Sequence, residues 1–118
     1  MENATVRTGL AIKAIRTQFP DSPEGKLMSH IVATAITDAY STFQPEESIR
    51  SASEYLKGNI PHAEIAGVDS DWIKRILLKL ELTDDLVDSR LKESAERDRL
   101  EKAMVSKRNK AFRDNKLK

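Results

Sequence analysis

Two histidines, His30 and His62, are the side chains of this sequence best suited to proton transfer or metal binding near neutral pH. They stand 32 positions apart, and neither belongs to a spaced set of metal ligands. The chain has no cysteine, which excludes thiolate nucleophiles, disulfides and cysteine-ligated metal sites. We therefore expect His30 at the edge of an apolar helix face, His62 as a surface or packing residue, no enzymatic activity and no cofactor or metal.

Paired carboxylates are the other candidates for acid–base chemistry. Glu46-Glu47 and Asp84-Asp85 each stand where a helix is predicted to begin, and the positive end of the helix dipole accounts for acids there. The segment Pro23-Glu24-Gly25-Lys26 lacks the glycine spacing and the following hydroxyl of a phosphate-binding loop. The sequence offers no catalytic constellation.

The elements that position these residues are predicted to be helices. Of the 118 residues, 33% are charged and only 5% are aromatic, which favours an all-α protein over a sandwich or barrel. Apolar spacing and capping residues predict a helix over roughly residues 4–18, with Val6, Leu10, Ala14 and Ile15 on its apolar face. Ser22 and Pro23 open a second, strongly apolar helix that carries Leu27, Met28, Ile31, Val32, Ala35, Ile36, Ala39 and Tyr40 and should be the central packing element.

A third predicted helix opens at Pro45 and ends at Gly58, which we expect to be left-handed. Shorter helices follow from Pro61 and from Asp69 or Ser70. From Thr83 onward the apolar residues are too sparse for full burial and predict one long, exposed helix. These elements form a helical domain over residues 1–82 and a charged helix with a basic tail over residues 83–118.

The net charge of +1 hides a strong asymmetry along the chain. Residues 21–71 carry nine acids against three bases, whereas residues 72–80 carry three bases and no acid. Residues 107–118 carry six bases against Asp114. The protein is therefore an acidic body joined to a basic end, and this asymmetry bears on its partners.

One local pattern has a known mechanism: AEIAGVDSDWIKRIL, residues 63–77. Small Ala63 allows two helices to approach, Gly67 supplies a turn with positive φ, and Val68, Ile73 and Ile76 lock the second helix, within a unit spanning residues 61–80. The string resembles the helix-turn-helix of the lac repressor family. The resemblance implies that Ser70, Asp71 and Arg75 contact bases while Lys74 and Lys79 lie near phosphates.

A second resemblance spans residues 47–77, in which an S-A-x-x-Y-L helix precedes A-G-V-D-x-D-W-I-K-R. The pattern is similar to that of small helical proteins of tailed bacteriophages and prophages. That resemblance implies a genomic setting, and hence the cytoplasm of a bacterial host, but no established activity. The sequence has no long apolar stretch and no signal-peptide core, so we expect neither a membrane partner nor secretion.

Three further features leave alternatives open. Trp72 is either part of the core or an exposed anchor for a protein partner. The basic residues Lys107, Arg108, Lys110, Arg113, Lys116 and Lys118 form a solvated end, a DNA-binding arm or a contact for an acidic protein surface. Residues 83–106 could pair two chains into a homodimer, although strict heptads are absent.

These observations predict a small, non-enzymatic DNA-binding regulator, associated with a phage or prophage, that uses residues 61–80 and the basic tail. The competing hypothesis is a protein-binding inhibitor of a host defence or transcription complex, which would use the acidic body or the charged helix. The acidity of residues 21–71 is the feature that most opposes the first, because DNA affinity depends on phosphate neutralisation.

Overall fold

The computed structural model describes the backbone of residues 4–116 and the side chains of residues 4–107. Over this range the chain forms six α-helices and no strand, so the predicted all-α class is confirmed. The helices are α1 (Ala4–Arg16), α2 (Pro23–Tyr40), α3 (Glu46–Lys57), α4 (Pro61–Ile65), α5 (Ser70–Lys79) and α6 (Asp84–Lys116). None of the described helices is both long and apolar enough to cross a membrane.

Helix α2 is the central element, as its apolar pattern predicts. It contacts α1, α3, α4 and α6. Val32, Ile36 and Ala39 are completely buried along its length, and Tyr40 is buried at its end. The predicted apolar face is too wide at the start of the helix, because Leu27 is 56% exposed.

The start of α2 follows its local sequence closely. The Ser22 hydroxyl oxygen accepts a hydrogen bond of 3.0 Å from the Gly25 amide, and Pro23 occupies the first turn. Gly25 is required by a close approach, since a Cβ there would lie 2.1 Å from the Pro20 carbonyl oxygen. The tight corner between α1 and α2 therefore depends on a glycine inside a helix.

The apolar face predicted for α1 is wrong for two of its four residues. Val6 is 47% exposed and Leu10 is 45% exposed, whereas the buried residues are Ala4, Thr8, Ala11 and Ile15. Small alanines on the inner face allow α1 to approach α2 closely, and the Thr8 hydroxyl donates to the Ala4 carbonyl at 2.6 Å. Close packing of small residues thus prevails over the burial of larger ones.

The end of α3 also differs from expectation. Gly58 has φ −82° and ψ −152°, so it is extended and not left-handed. The left-handed residue is Ile60, at φ 40°, directly before Pro61. A proline disfavours the right-handed helical conformation in the residue that precedes it, so Ile60 cannot extend α4 toward α3.

Helix α6 is held against the body by the side chain of Arg90, which is 8% exposed. Its Nε donates a hydrogen bond of 2.9 Å to the carbonyl oxygen of Tyr40, the last residue of α2. Its Nη1 donates to both carboxylate oxygens of Glu93 at 3.0 Å. The guanidinium therefore binds a carbonyl at the negative end of the α2 dipole while its charge is balanced on α6.

Beyond Arg97, whose guanidinium donates to the Gln44 carbonyl, α6 leaves the body. Ser94 is the last buried residue of the helix among those whose side chains are described, and every side chain of residues 98–107 is exposed. The radius of gyration is 18.9 Å, against about 13–14 Å for a compact chain of this length. The molecule measures 67 × 33 × 23 Å, and α6 accounts for its elongation.

We expect Arg90→Met to lower the free energy of unfolding by roughly 2–3 kcal/mol, because it leaves the Tyr40 carbonyl without its charged donor. Urea denaturation followed by circular dichroism measures this change. Arg99→Met is the matched control: Arg99 pairs with Glu96 on the exposed side of the same helix, and its loss should cost less than about 0.5 kcal/mol. Equal effects of the two substitutions would contradict a docking role for Arg90.

Candidate nucleic-acid interface

The turn between α4 and α5 has the geometry that its sequence predicts. Gly67 has φ 82°, which is a left-handed conformation that favours glycine. The Val68 amide donates to the Ala63 carbonyl at 2.8 Å, and the Gly67 amide donates to the Glu64 carbonyl at 3.1 Å. Ala63, Val68 and Ile73 are buried in the core, so a glycine turn joins two short helices whose inner residues face the body.

The first turn of α5 is acidic and occupied by the protein's own groups. The Ser70 side chain is buried, and its hydroxyl donates to the Asn59 carbonyl. The Ser70 amide donates to the Glu64 carboxylate at 3.2 Å, and the Asp71 amide donates to the Asp69 carboxylate at 3.0 Å. The first two amides of the helix, those of Ser70 and Asp71, therefore already have carboxylate partners, and the Ser70 side chain is buried.

The basic residues of α5 occupy three different environments. Lys74 is half-buried, and its ammonium group donates to the Lys57 carbonyl at the end of α3, at 3.1 Å. Arg75 is exposed and lies 4.0 Å from the Asp69 carboxylate. Lys79 is exposed. Arg75 and Lys79 lie one turn apart and form the basic part of the exposed α5 surface.

Trp72 and His62 lie between core and surface. Trp72 is half-buried, packs against the core cluster and lines a cavity of about 290 Å³ with Gln18 and Arg75. His62 is half-buried, and its Nδ1 lies 2.7 Å from the Tyr55 hydroxyl, which joins α4 to α3. His62 is therefore a packing residue with a hydrogen-bond partner, while His30 is exposed on α2.

The basic end of α6 is the second half of the predicted interface. Lys107 is exposed. The side chains of Arg108, Lys110, Arg113, Lys116 and Lys118 lie outside the described residues, so their role in DNA binding stays a prediction. The described helix nevertheless extends to Lys116, so the positions of Arg108, Lys110, Arg113 and Lys116 belong to the part of α6 that follows the exposed segment 98–107.

A groove opens between the ends of α3 and α5 and the start of α6. It has a volume of about 380 Å³ and is lined by Tyr40, Leu56, Leu77, Leu78 and Asp84, among others. Leu78 is 67% exposed at its edge. Lys57, which also lines the groove, lies 3.3 Å from the Asp84 carboxylate. The groove is thus an apolar surface with a neutralised charge pair beside it.

The polar groups of the described residues include exposed basic side chains and a histidine that is already hydrogen-bonded. Within the described part of the chain, no group of three or more His, Asp or Glu side chains could hold a metal ion. The two histidines are on different helices, and His62 is engaged by Tyr55. The exposed basic side chains and the groove are the features that can contact a partner.

Four residues that shape these surfaces were not predicted from the sequence as surface or docking residues: Phe43, Leu78, Arg90 and Arg97. Leu78 could have been found, since it falls outside the apolar face of α5 formed by Ile73, Ile76 and Leu80. The other three residues make contacts with residues that are far away in the sequence. Arg97 donates to the Gln44 carbonyl at 3.1 Å and lies over the Phe43 ring, across more than 50 positions.

No protein-family model, curated protein or solved structure matches this chain.

We expect stability to fall as pH rises from about 10 to 12 because of Tyr40, whose pKa burial and the Asp84 carboxylate raise to about 12. In that window the unfolded chain has lost the phenol proton and the folded chain retains it, so ionisation favours unfolding. The difference between the Tyr40 pKa in the folded chain and in the unfolded chain corresponds to at most about 2.7 kcal/mol of unfolding free energy.

Unfolding free energies measured at pH 9 and pH 11.5 test this expectation, with Tyr40→Phe as the control. The variant should lose less stability over the interval than the parent protein, since it lacks the titrating group. An identical pH dependence in both proteins would show that Tyr40 does not titrate with a raised pKa.

Proposed function

We propose that this chain is a small, non-enzymatic DNA-binding protein that contacts phosphates with the basic end of α6 and with Arg75 and Lys79 of α5. The observation that carries the proposal is the separation of charge: α6 extends away from an acidic body and bears its bases at the far end. Affinity for duplex DNA depends mainly on the phosphates that Lys and Arg neutralise.

The elongated shape makes this separation effective. Residues 107–118 have a net charge of +5, and residues 21–71 have a net charge of −6. In a compact fold these regions would screen one another, and a phosphate backbone would meet little net positive charge. With exposed residues 98–107 between the basic end and the docked part of α6, the bases can approach DNA without bringing the acidic helices into contact.

The environment of α5 supports phosphate contact and not base readout. In proteins that read DNA with a second helix, the first residues of that helix reach the base edges. Here those positions carry Asp69, a buried Ser70 and Asp71. Arg75 and Lys79 are exposed further along and suit sequence-tolerant contacts, while Lys74 is held by the Lys57 carbonyl.

A regulatory role in a phage or prophage setting is the remaining part of the proposal. It rests on the resemblance of residues 47–77 to small phage proteins, and such a setting would imply the cytoplasm of a bacterial host. A helical chain with no predicted catalytic constellation and with a charged arm fits a protein that acts by occupying DNA.

A protein partner is the second candidate, and one observation favours it. Leu78 is 67% exposed beside an apolar groove, whereas a large exposed apolar side chain contributes little to phosphate binding. A partner that inserts an apolar side chain into this groove would be a host protein. This candidate becomes the stronger one if the chain has no affinity for duplex DNA.

Fluorescence anisotropy with a labelled duplex of about 30 base pairs, in about 50 mM salt, tests the DNA proposal. Replacing Lys107, Arg108, Lys110 and Arg113 by Gln should weaken binding at least tenfold. The slope of log affinity against log salt should fall by about 3 to 4 units if all four contact phosphates. Arg75→Gln with Lys79→Gln should give a smaller loss.

Lys13→Gln with Arg16→Gln removes two bases from the end of α1 and serves as the control, with an expected loss below threefold. Circular dichroism of each variant separates lost helix from lost charge. Undetectable binding by the parent protein in about 50 mM salt, or equal binding by the fourfold variant, contradicts the proposal.

A further inference from the structure

The exposed part of α6 carries an apolar surface that the body of the protein does not cover. We define the projecting segment as residues 98–107, all of whose side chains are exposed. Leu100 is 53% exposed and Met104 is 62% exposed. They are four positions apart and therefore adjacent on one side of the helix. An isolated helix in water is only marginally stable, so a packing partner along this side would stabilise the segment.

A further exposed apolar side chain, Phe43, lies beside Arg97, just before the projecting segment begins. Its ring is 80% exposed, and its centroid lies 5.8 Å from the guanidinium carbon of Arg97, one turn before Leu100. Phe43 has φ 66°, a conformation that is uncommon for a large side chain. An aromatic ring is thus held on the surface beside the point where α6 leaves the body.

The charge of α6 indicates what covers this surface. Residues 84–101 carry seven acids and four bases, a net charge of −3, and residues 102–118 carry seven bases and Asp114, a net charge of +6. Leu100 and Met104 stand at the boundary between the two halves. A second α6 in parallel would place like charges together, whereas an antiparallel one places each basic half along an acidic half.

We propose that two copies of this chain associate through antiparallel projecting segments, with Leu100 and Met104 of each copy packed against the same residues of the other. The contact is symmetric, since one surface pairs with itself about a twofold axis. Glu96 and Lys107 lie on the same side of α6 as this apolar pair, eleven residues apart. In the antiparallel arrangement Glu96 of one copy faces Lys107 of its partner.

This inference does not depend on the proposed function, but it has a consequence for it. The basic end of each copy lies along the acidic half of the other copy. Phosphates would have to displace those carboxylates, so self-association and DNA would compete for the same basic residues.

Sedimentation equilibrium of the full chain over about 5–200 µM, at low salt, tests for a concentration-dependent dimer that weakens as salt is raised. Leu100→Glu and Met104→Glu should each raise the dimer dissociation constant at least tenfold. Leu27→Glu, at an equally exposed position on α2, should leave it unchanged. A monomer throughout this range, or equal effects of the three substitutions, overturns the inference.

Orientation has a separate readout, because the chain has no cysteine of its own. An equimolar mixture of Glu96→Cys and Lys107→Cys proteins should form mainly the mixed disulfide under mild oxidation if the helices are antiparallel. Predominant disulfides between identical variants would show a parallel pair and overturn the proposal. Duplex affinity is measured independently, so failure of self-association and failure of DNA binding are distinguishable.

Discussion

The hydrogen bond from Arg90 to the Tyr40 carbonyl fixes the relation between the two halves of this protein. Tyr40 ends the central helix α2, and Arg90 lies near the start of the longest helix, fifty residues later. A carbonyl at the end of a helix needs a donor, and a buried guanidinium needs partners on all sides. Glu93 supplies the remaining acceptors from α6 itself. Together with the burial of Val87 and the hydrogen bond from Arg97 to the Gln44 carbonyl, this contact anchors α6 to the body.

The electrostatic character of the molecule follows from that anchor. The acidic residues of the body and the basic residues at the end of α6 nearly cancel in the total charge, but the fold keeps them apart along its long axis. Opposite charges on one chain can satisfy each other, satisfy a second copy or satisfy a different partner. Antiparallel self-association is the second of these possibilities and DNA binding is the third, and both use the same bases.

Local sequence signals predicted much of the fold. Ser22, Pro23 and Gly67 act through hydrogen bonds and backbone conformations within a few residues of themselves, so their roles could be read directly. The buried face of α1 could not be predicted in this way. Small alanines compete with the larger Val6 and Leu10 for the core, and the choice depends on how closely α1 packs against α2. The prediction for Gly58 was also wrong, since Gly58 is extended and the left-handed residue is Ile60, directly before Pro61.

In the candidate site, too, features set by neighbouring residues could be predicted and features set by distant residues could not. The glycine turn and the exposure of Arg75 and Lys79 follow from helical periodicity, whereas the inward orientation of Ser70 depends on the Asn59 carbonyl, eleven residues away. The docking of α6 depends on pairs about fifty positions apart, for which one sequence holds no pattern. Trp72 remained ambiguous because a half-buried aromatic residue satisfies both the core and the surface interpretation.

The central claim is that α6 holds its basic end away from the acidic body as one continuous helix. The distance between spin labels on Asp88→Cys and Ser106→Cys, in protein diluted with unlabelled chain, tests this claim directly. Eighteen residues of α-helix separate the two positions by about 27 Å, and both lie on the same side of the helix. The account predicts one narrow distribution near that distance, and a shorter, broad distribution from a second half folded back onto the body would contradict it.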